Sequence, residues 1–267
     1  NGKGMTPSVL HSALEFGVSE HKKDKSGIGK FGMGLPNSSI SQCRRAEVWS
    51  WQKKGEYYFT YLDIDEMLSG NLEEIPMPKI SKLPDQFLNC LGEDISASGT
   101  LVVWQKLDRL NWKTSASIFK HSEELIGRMY RKFINNNQVL IRCRSFINDG
   151  KTIIVSDDPK VFKPNDPMYL MKGCTSPDLP MHYKGEPFFE SCETISLEIL
   201  YNGKSHKVEI RSSIAKKNIF SFLREHYNVK CGNTPIGRHC RKNLGVSLVR
   251  ASRELCLCPE FYEKFLN

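Results

Sequence analysis

"SGIGKFGMGL", residues 26–35, carries glycines at positions 27, 29, 32 and 34, with Lys30 and Phe31 between them. Glycine reaches positive φ and lets a partner approach the backbone with no Cβ in the way. Successive amide N–H groups in such a loop cradle an anion, more strongly where a helix begins. Lys30 adds a mobile positive charge. A chain of phosphates is the guest that suits the stretch; the alternative is a surface loop that is merely glycine-rich.

Two familiar phosphate loops fail on context. Gly27, Gly29 and Gly32 satisfy G-x-G-x-x-G, the dinucleotide fingerprint, but that motif needs a buried strand running into its first glycine. The preceding residues are "VSEHKKDKS", charged and without an apolar run. A Walker loop needs glycine five residues before the Gly29-Lys30 pair, and Asp24 stands there. An oxidoreductase reading falls with the missing strand.

The 267 residues suffice for one large domain or two ordinary ones, and 39% apolar with 25% charged residues exclude a disordered chain. No apolar run is long enough for a membrane span and no signal peptide is visible, so a cytoplasmic protein is expected. The nine cysteines, odd in number and scattered, fit reduced thiols better than a disulfide framework. Net charge is +8, and residues 191–267 hold 13 Lys and Arg against 7 Asp and Glu. A half this basic can attract nucleic acid, although a solvated lysine-rich surface fits equally well.

Along the chain, Thr6 caps a first helix with Pro7 in its first turn and Gly17 to close it; Val9, Leu10, Ala13 and Leu14 form its apolar stripe. A polar loop over 18–26 leads into the glycines, and a short helix is predicted over 37–43. Strands are predicted at 47–51, 57–62 and 100–104, with 68–98 as loop. The spacing of Ile118, Phe119, Leu125, Ile126, Met129, Tyr130, Phe133 and Ile134 predicts one amphipathic helix over 117–134. "NNN" at 135–137 ends it, and the domain boundary is placed there. Beyond it come a hairpin through Asn148-Asp149-Gly150, a proline-rich connection over 159–187, and a hairpin with Asn202-Gly203 at its turn. A helix over 218–226 and a strand over 245–250 follow, an α+β second half.

The opening "NGKGMT", the later "GIGKFGMGL" and then "SGTLVVW" resemble, in order and spacing, the GHKL superfamily of ATPases. This superfamily includes gyrase B subunits, MutL, heat-shock chaperones, microrchidia proteins and histidine kinases. The resemblance spans about residues 1–135 and implies a two-layer α/β sandwich of the Bergerat type that binds ATP with Mg²⁺. It implies that Gly2, Gly4 and Met5 lie in the adenine motif. Gly29, Phe31, Gly32, Met33 and Gly34, with Gly27 and Lys30 beside them, match the phosphate motif. Thr100 matches the threonine of a Gly-Thr pair that completes the base pocket. Gly17 and Ser19 resemble the element that opens the family's lid over ATP.

The resemblance also implies elements that this sequence does not contain. The aspartate of the adenine motif falls one position before Asn1. The helix that supplies the water-activating glutamate and the Mg²⁺-holding asparagine falls further upstream. The chain is therefore expected to be a fragment whose parent hydrolyses ATP and which, lacking the general base and the Mg²⁺ ligand, is not itself a competent ATPase. "LGVSLVRASREL", residues 244–255, resembles a strand pair of the transducer domain in gyrase-, MutL- and microrchidia-type members. In that domain a lysine reaches the γ-phosphate. Lys242 is the candidate, with Lys216 and Lys217 behind it; a surface lysine is the plainer reading of each.

Cys231, His239, Cys240, Cys256 and Cys258 match no usual zinc spacing, so no metal ligand is assigned. Asp63 and Asp65 form a possible carboxylate pair, although solvated strand-end carboxylates fit as well. Glu123 and Glu124 are placed on the wet face of the long helix.

The expectation is thus an α+β chain: an ATP-binding domain over 1–135 and a smaller transducer-like domain over 136–267. ATP would close the lid, drive homodimerisation and signal to the second domain. The alternative function is a non-catalytic nucleic-acid or protein-binding module that retains the fold.

Overall fold

The run CRRAEVWSW forms β1 (Cys43–Trp51), and from Ala46 to Trp51 every residue is buried rather than every second one. Continuous burial marks a strand covered on both faces. The computed structural model describes residues 2–18, 31–91, 95–148, 153–155, 159–171 and 189–263. It divides into two compact units, Asn1–Ser115 with Arg144–Asp158, and Ala116–Cys143 with Pro159–Asn267. The division falls at Ser115 rather than at residue 135, so most of the long helical stretch groups with the second unit.

In the first unit, β1 joins β2 (Tyr58–Asp63), β3 (Lys79–Ile80) and β4 (Gly99–Leu107) in an antiparallel sheet of order β3-β2-β1-β4. Val48 stands opposite Thr60 and Val102, while Trp49 stands opposite Phe59 and Leu101. The two sets therefore point to opposite faces of the sheet. On one face α1 (Pro7–Leu14) sets Leu10 and Leu14 on Val48, Leu62 and Ile75, joined by Met5 and by Leu35 and Ile40 of α2 (Gly34–Ile40). Burying each of these two α1 leucines stabilises the unit by about 2 kcal/mol. On the other face Trp49, Trp51 and Val103 pack with Leu83 and with Phe87 and Leu88 of α4 (Asp85–Leu91).

Helix α1 starts as its sequence predicts, with the Thr6 hydroxyl accepting from the Val9 N–H and Pro7 in the first turn. It stops at Leu14, before Gly17, whose N–H instead donates to Gly32 O at 3.2 Å. The helix expected over 37–43 is α2, and it begins at Gly34. Cys43 belongs to β1. The segment 68–98, read as loop, contains β3 and α4.

Asp63 caps α3 (Ile64–Leu68), its carboxylate accepting from the N–H groups of Asp65 and Glu66. Arg45 and Lys106 also donate to it, at 3.0 and 2.9 Å, and Arg44 pairs with Asp65. Asp63 is thus a buried, ion-paired helix cap, and Asp65 a partly exposed helix residue paired with Arg44 and Lys106. Burial pushes the Asp63 carboxyl up, but bonds from Lys106, Arg45 and the two N–H groups outweigh it and hold it at about 2. Two short strands, β6 (Phe146–Asn148) and β7 (Ile153–Val155), pair in this unit; the hairpin expected over 141–155 at the start of the second half is met only in part, since Asn148 lies within the pairing and Arg142–Cys143 pairs instead with Lys160–Val161.

The second unit contains α5 (Ser115–Met129) from Ala116 onward, then α6 (Arg131–Asn135). The single helix predicted over 117–134 breaks at Tyr130, which leaves helical geometry at φ −105° and ψ 11°. There Arg131 turns inward. Together with Arg128 it pairs with the buried Glu254 of β14 (Arg253–Cys258), at 2.8 and 2.6 Å. Strand β5 (Arg142–Cys143) pairs with β8 (Lys160–Val161), and β9 (Phe189–Ser191) pairs with β12 (Ser213–Ala215). The Asn202-Gly203 turn, with φ of 49° and 70°, joins β10 (Ile195–Tyr201) to β11 (Lys204–Ile210). Helices α7 (Lys217–Tyr227) and α8 (Pro235–Lys242) supply Ile219, Leu223 and Ile236 to a core shared with Tyr169. β13 (Val246–Arg250) pairs with β14, and α9 (Glu260–Glu263) follows. Helices and strands are mixed without a regular alternation, so the fold class is α+β. Among the described residues no helix is long and apolar enough to cross a membrane.

Candidate functional site

The segment Gly2–Met5 docks where β1 and β4 meet. The Met5 N–H donates to Ser50 Oγ at 2.8 Å, and Ser98 Oγ donates to Gly2 O at 2.9 Å. Gly4 holds φ of +71°, and a Cβ there would lie 1.9 Å from Trp51 O. Only glycine lets the chain cross the strand end this closely. Ser50, fully buried, lies 3.1 Å from Gly99 O and 2.8 Å from Thr100 Oγ1.

The hydroxyl arithmetic fixes what Thr100 offers. Ser50 has one proton and two lone pairs. If that proton goes to Gly99 O, the lone pairs take the Met5 N–H and the Thr100 O–H. Thr100, itself exposed, then presents acceptor lone pairs, a match for an N–H donor such as an exocyclic amine.

Thr100, Val102 and Trp104 share one face of edge strand β4, the face on which α1 and α2 pack. Trp104 Nε1 donates to Ser39 Oγ of α2 at 3.0 Å. The N-terminal segment therefore closes one end of this strip and α2 the other, with Val102 half-exposed between them. Four residues of strand make the strip roughly 13 Å long.

The start of α2 carries the described part of the glycine stretch. Gly32 holds φ of +63°, and a Cβ there would lie 1.8 Å from Val18 O. Phe31 is exposed, Met33 is the N-cap of α2, and Gly34 is its first residue. The first amides of a helix have no partner within it, so this end offers N–H groups to an anion. Gly27, Gly29 and Lys30, like Ser19, lie outside the described residues. Sequence reasoning missed Ser50. Its signal was a lone small hydroxyl in "WSW", between two tryptophans of an otherwise buried strand.

Lys242, the last residue of α8, is paired with Glu124 Oε2 at 2.9 Å. That pairing accounts for Glu124, placed by sequence on the wet face of the helix. Lys216 is the N-cap of α7 and Lys217 its first residue. Among the cysteines, Cys256 and Cys258 bring their sulfurs to 3.5 Å, while His239 Nδ1 bonds the Tyr169 hydroxyl at 2.7 Å. The bond to Cys256 pushes the Cys258 thiol up to about 11. Among the described residues no group of three or more His, Cys, Asp or Glu side chains could hold a metal ion.

A strand-end crossing that admits only glycine, a hydroxyl relay to Thr100 and a glycine-opened helix thus lie along one face of the same sheet. Residues 1–95 match the family model of histidine kinase-, DNA gyrase B- and HSP90-like ATPases. Over these residues the chain is similar to the GHKL superfamily, and the match supports that assignment and, with it, ATP binding. No curated protein matches the chain.

Proposed function

We propose that the first unit binds ATP, with the base against Ser50 and Thr100 and the phosphates along Gly27, Gly29, Lys30 and the Phe31–Gly34 turn. The Met5–Ser50–Thr100 relay carries this reading, because it ties the N-terminal motif to Thr100 through one buried oxygen. The residues fit the base end of such a nucleotide: Gly4 lets the chain lie flat on Trp51, and the Thr100 oxygen offers an acceptor. Mg²⁺ would travel with the phosphates, and no described residue is assigned to it.

In this reading ATP closes a lid formed by the segment that starts at Gly17, favours a homodimer and signals to the second unit as a transducer-like domain. Lys242 would then have to leave Glu124 to reach a γ-phosphate, a low-cost step for an exposed ion pair. Hydrolysis is separable from binding and is measured separately.

Equilibrium binding of Mg-ATP, with Mg-GTP beside it, tests the proposal. We expect ATP to raise the melting temperature by an increment that grows with the logarithm of its concentration over its dissociation constant, and Gly32→Val to abolish the shift. An unchanged ATP affinity in folded Gly32→Val would sink the phosphate assignment.

A second reading rests on the basic C-terminal half, where residues 191–267 hold 13 Lys and Arg against 7 Asp and Glu, a balance that suits a polyanion. Nucleic-acid binding with a steep salt dependence, indifferent to nucleotide, would favour that module over the ATP switch.

A further inference from the structure

The hairpin β10–β11 is amphipathic, and among the described residues nothing covers it. Every residue of both strands is exposed, and both outer edges of this two-stranded sheet are unpaired among the described residues. The register places Ile195 opposite Ile210, Leu197 opposite Val208, Ile199 opposite His206 and Tyr201 opposite Lys204, all on one face. The other face carries Ser196, Glu198, Leu200, Ser205, Lys207 and Glu209, with Glu209 bridging Lys207 and Arg211 at 3.2 and 2.7 Å. Apart from Leu200 beside the turn, this face is polar and charged. The other exposes Ile195, Leu197, Ile199, Tyr201, Val208 and Ile210 at 39–67% each. An isolated two-stranded hairpin is at best marginal in water, so an apolar face of this kind calls for a cover.

We propose that this face seats the same face of a second copy of the chain, the two hairpins stacking with their strands running in the same direction about a two-fold axis. In that arrangement β10 of one copy lies over β11 of the other, level by level. Ile195 meets Ile210, Leu197 meets Val208, Ile199 meets His206, and the ring of Tyr201 meets the ammonium of Lys204. Every level is self-complementary, and no like charges face each other. The last level adds a cation–π contact. The opposite stacking, tip over base, would set Lys204 on Ile195 and Ile210 and leave its charge against hydrocarbon.

The area agrees. With roughly 100 Å² exposed on each of these side chains, a pair of copies would bury about 1,200 Å², the lower bound of specific interfaces and more than a monomer usually leaves bare. The inference does not rest on the nucleotide reading, and the dimer should form without ATP.

The test is sedimentation equilibrium of the full chain, without nucleotide, over a micromolar concentration series. The wild type should approach twice the 30.6 kDa chain mass. Leu197→Lys and Val208→Glu, each at an exposed position, should keep the circular dichroism spectrum and melting temperature. Each should weaken dimerisation more than 100-fold. An equimolar mixture of the two should dimerise again, because the stacking sets Lys at 197 against Glu at 208 across the pair. Glu198→Lys, on the wet face, should remain dimeric. A monomeric wild type at 100 µM, a dimer that survives Leu197→Lys, or a mixture that stays monomeric would each overturn the proposal.

Discussion

Ser50→Ala removes the oxygen on which the candidate base site turns. The Met5 N–H loses its acceptor at 2.8 Å, Gly99 O its donor at 3.1 Å and Thr100 its partner at 2.8 Å. A buried polar group left unpaired costs about 1–3 kcal/mol. Thr100 is exposed and can turn to water, and Met5 is only partly buried, so the three losses are not equal. The Gly99 carbonyl bears the full penalty, Met5 part of it and Thr100 almost none. We expect Ser50→Ala to lower unfolding stability by about 2 kcal/mol and ATP affinity about tenfold, through the freed N-terminal segment and the lost orientation of Thr100. Thr100→Val supplies the contrast: a similar loss of affinity with a stability change under about 0.5 kcal/mol, the usual ceiling for exposed positions. Urea denaturation and isothermal titration on the same samples measure both. Equal stability and equal affinity for Ser50→Ala and wild type would refute the relay.

Acid titration should expose Asp63. Its folded-state value of about 2 lies below the ordinary 3.8, so its stabilisation of about 2 kcal/mol is complete above about pH 4. It is lost as pH falls through about 2, and Asp63→Asn should flatten that acid limb. In the second unit, Glu254→Ala strands Arg128 and Arg131 against a buried site and should destabilise by about 3–5 kcal/mol in denaturant unfolding. A change below 1 kcal/mol would mean water already shares that site. Gly4→Ala must shift the backbone away from Trp51 O; we expect a loss of about 2 kcal/mol or more by the same assay, from left-handed strain plus the clash. Lys242→Met breaks only an exposed pair and should leave stability within about 0.5 kcal/mol, while a role at the γ-phosphate would appear as weaker binding of ATP but not of ADP.

The sheet of the first unit was legible because its strands announce themselves. "EVWSW", "YYFTYL" and "TLVVW" are β-branched and aromatic runs bounded by turns, and all three fall in strands apart from Tyr57, which precedes β2. Helix α2 was misplaced by three residues because Gly34 and Pro36 read as loop, although both are tolerated in a first turn, where the N–H groups lack partners anyway. Helix α8 went unseen. Its cap was in the sequence as Thr234-Pro235, but its body, rich in Arg, His and Lys, offers no apolar stripe to a reader. The break at Tyr130 had no local signal at all. It follows from Arg131 turning toward Glu254, a partner 123 residues away along the chain. The candidate site divides the same way. Gly4, Met5 and Thr100 came from motif order, whereas Ser50, the atom joining them, becomes visible only when β1 is paired with β4.

The hydrogen bond from Gly17 to Gly32 has a consequence for engineering. It ties the two described flanks of the segment between them at a common base, so that segment's length is uncoupled from the placement of Gly32. Each doubling of an excursion closed at its base costs only about 0.6 kcal/mol of chain entropy. A reporter peptide or protease site inserted between Gly17 and Gly32 should therefore leave the sheet and α2 in register.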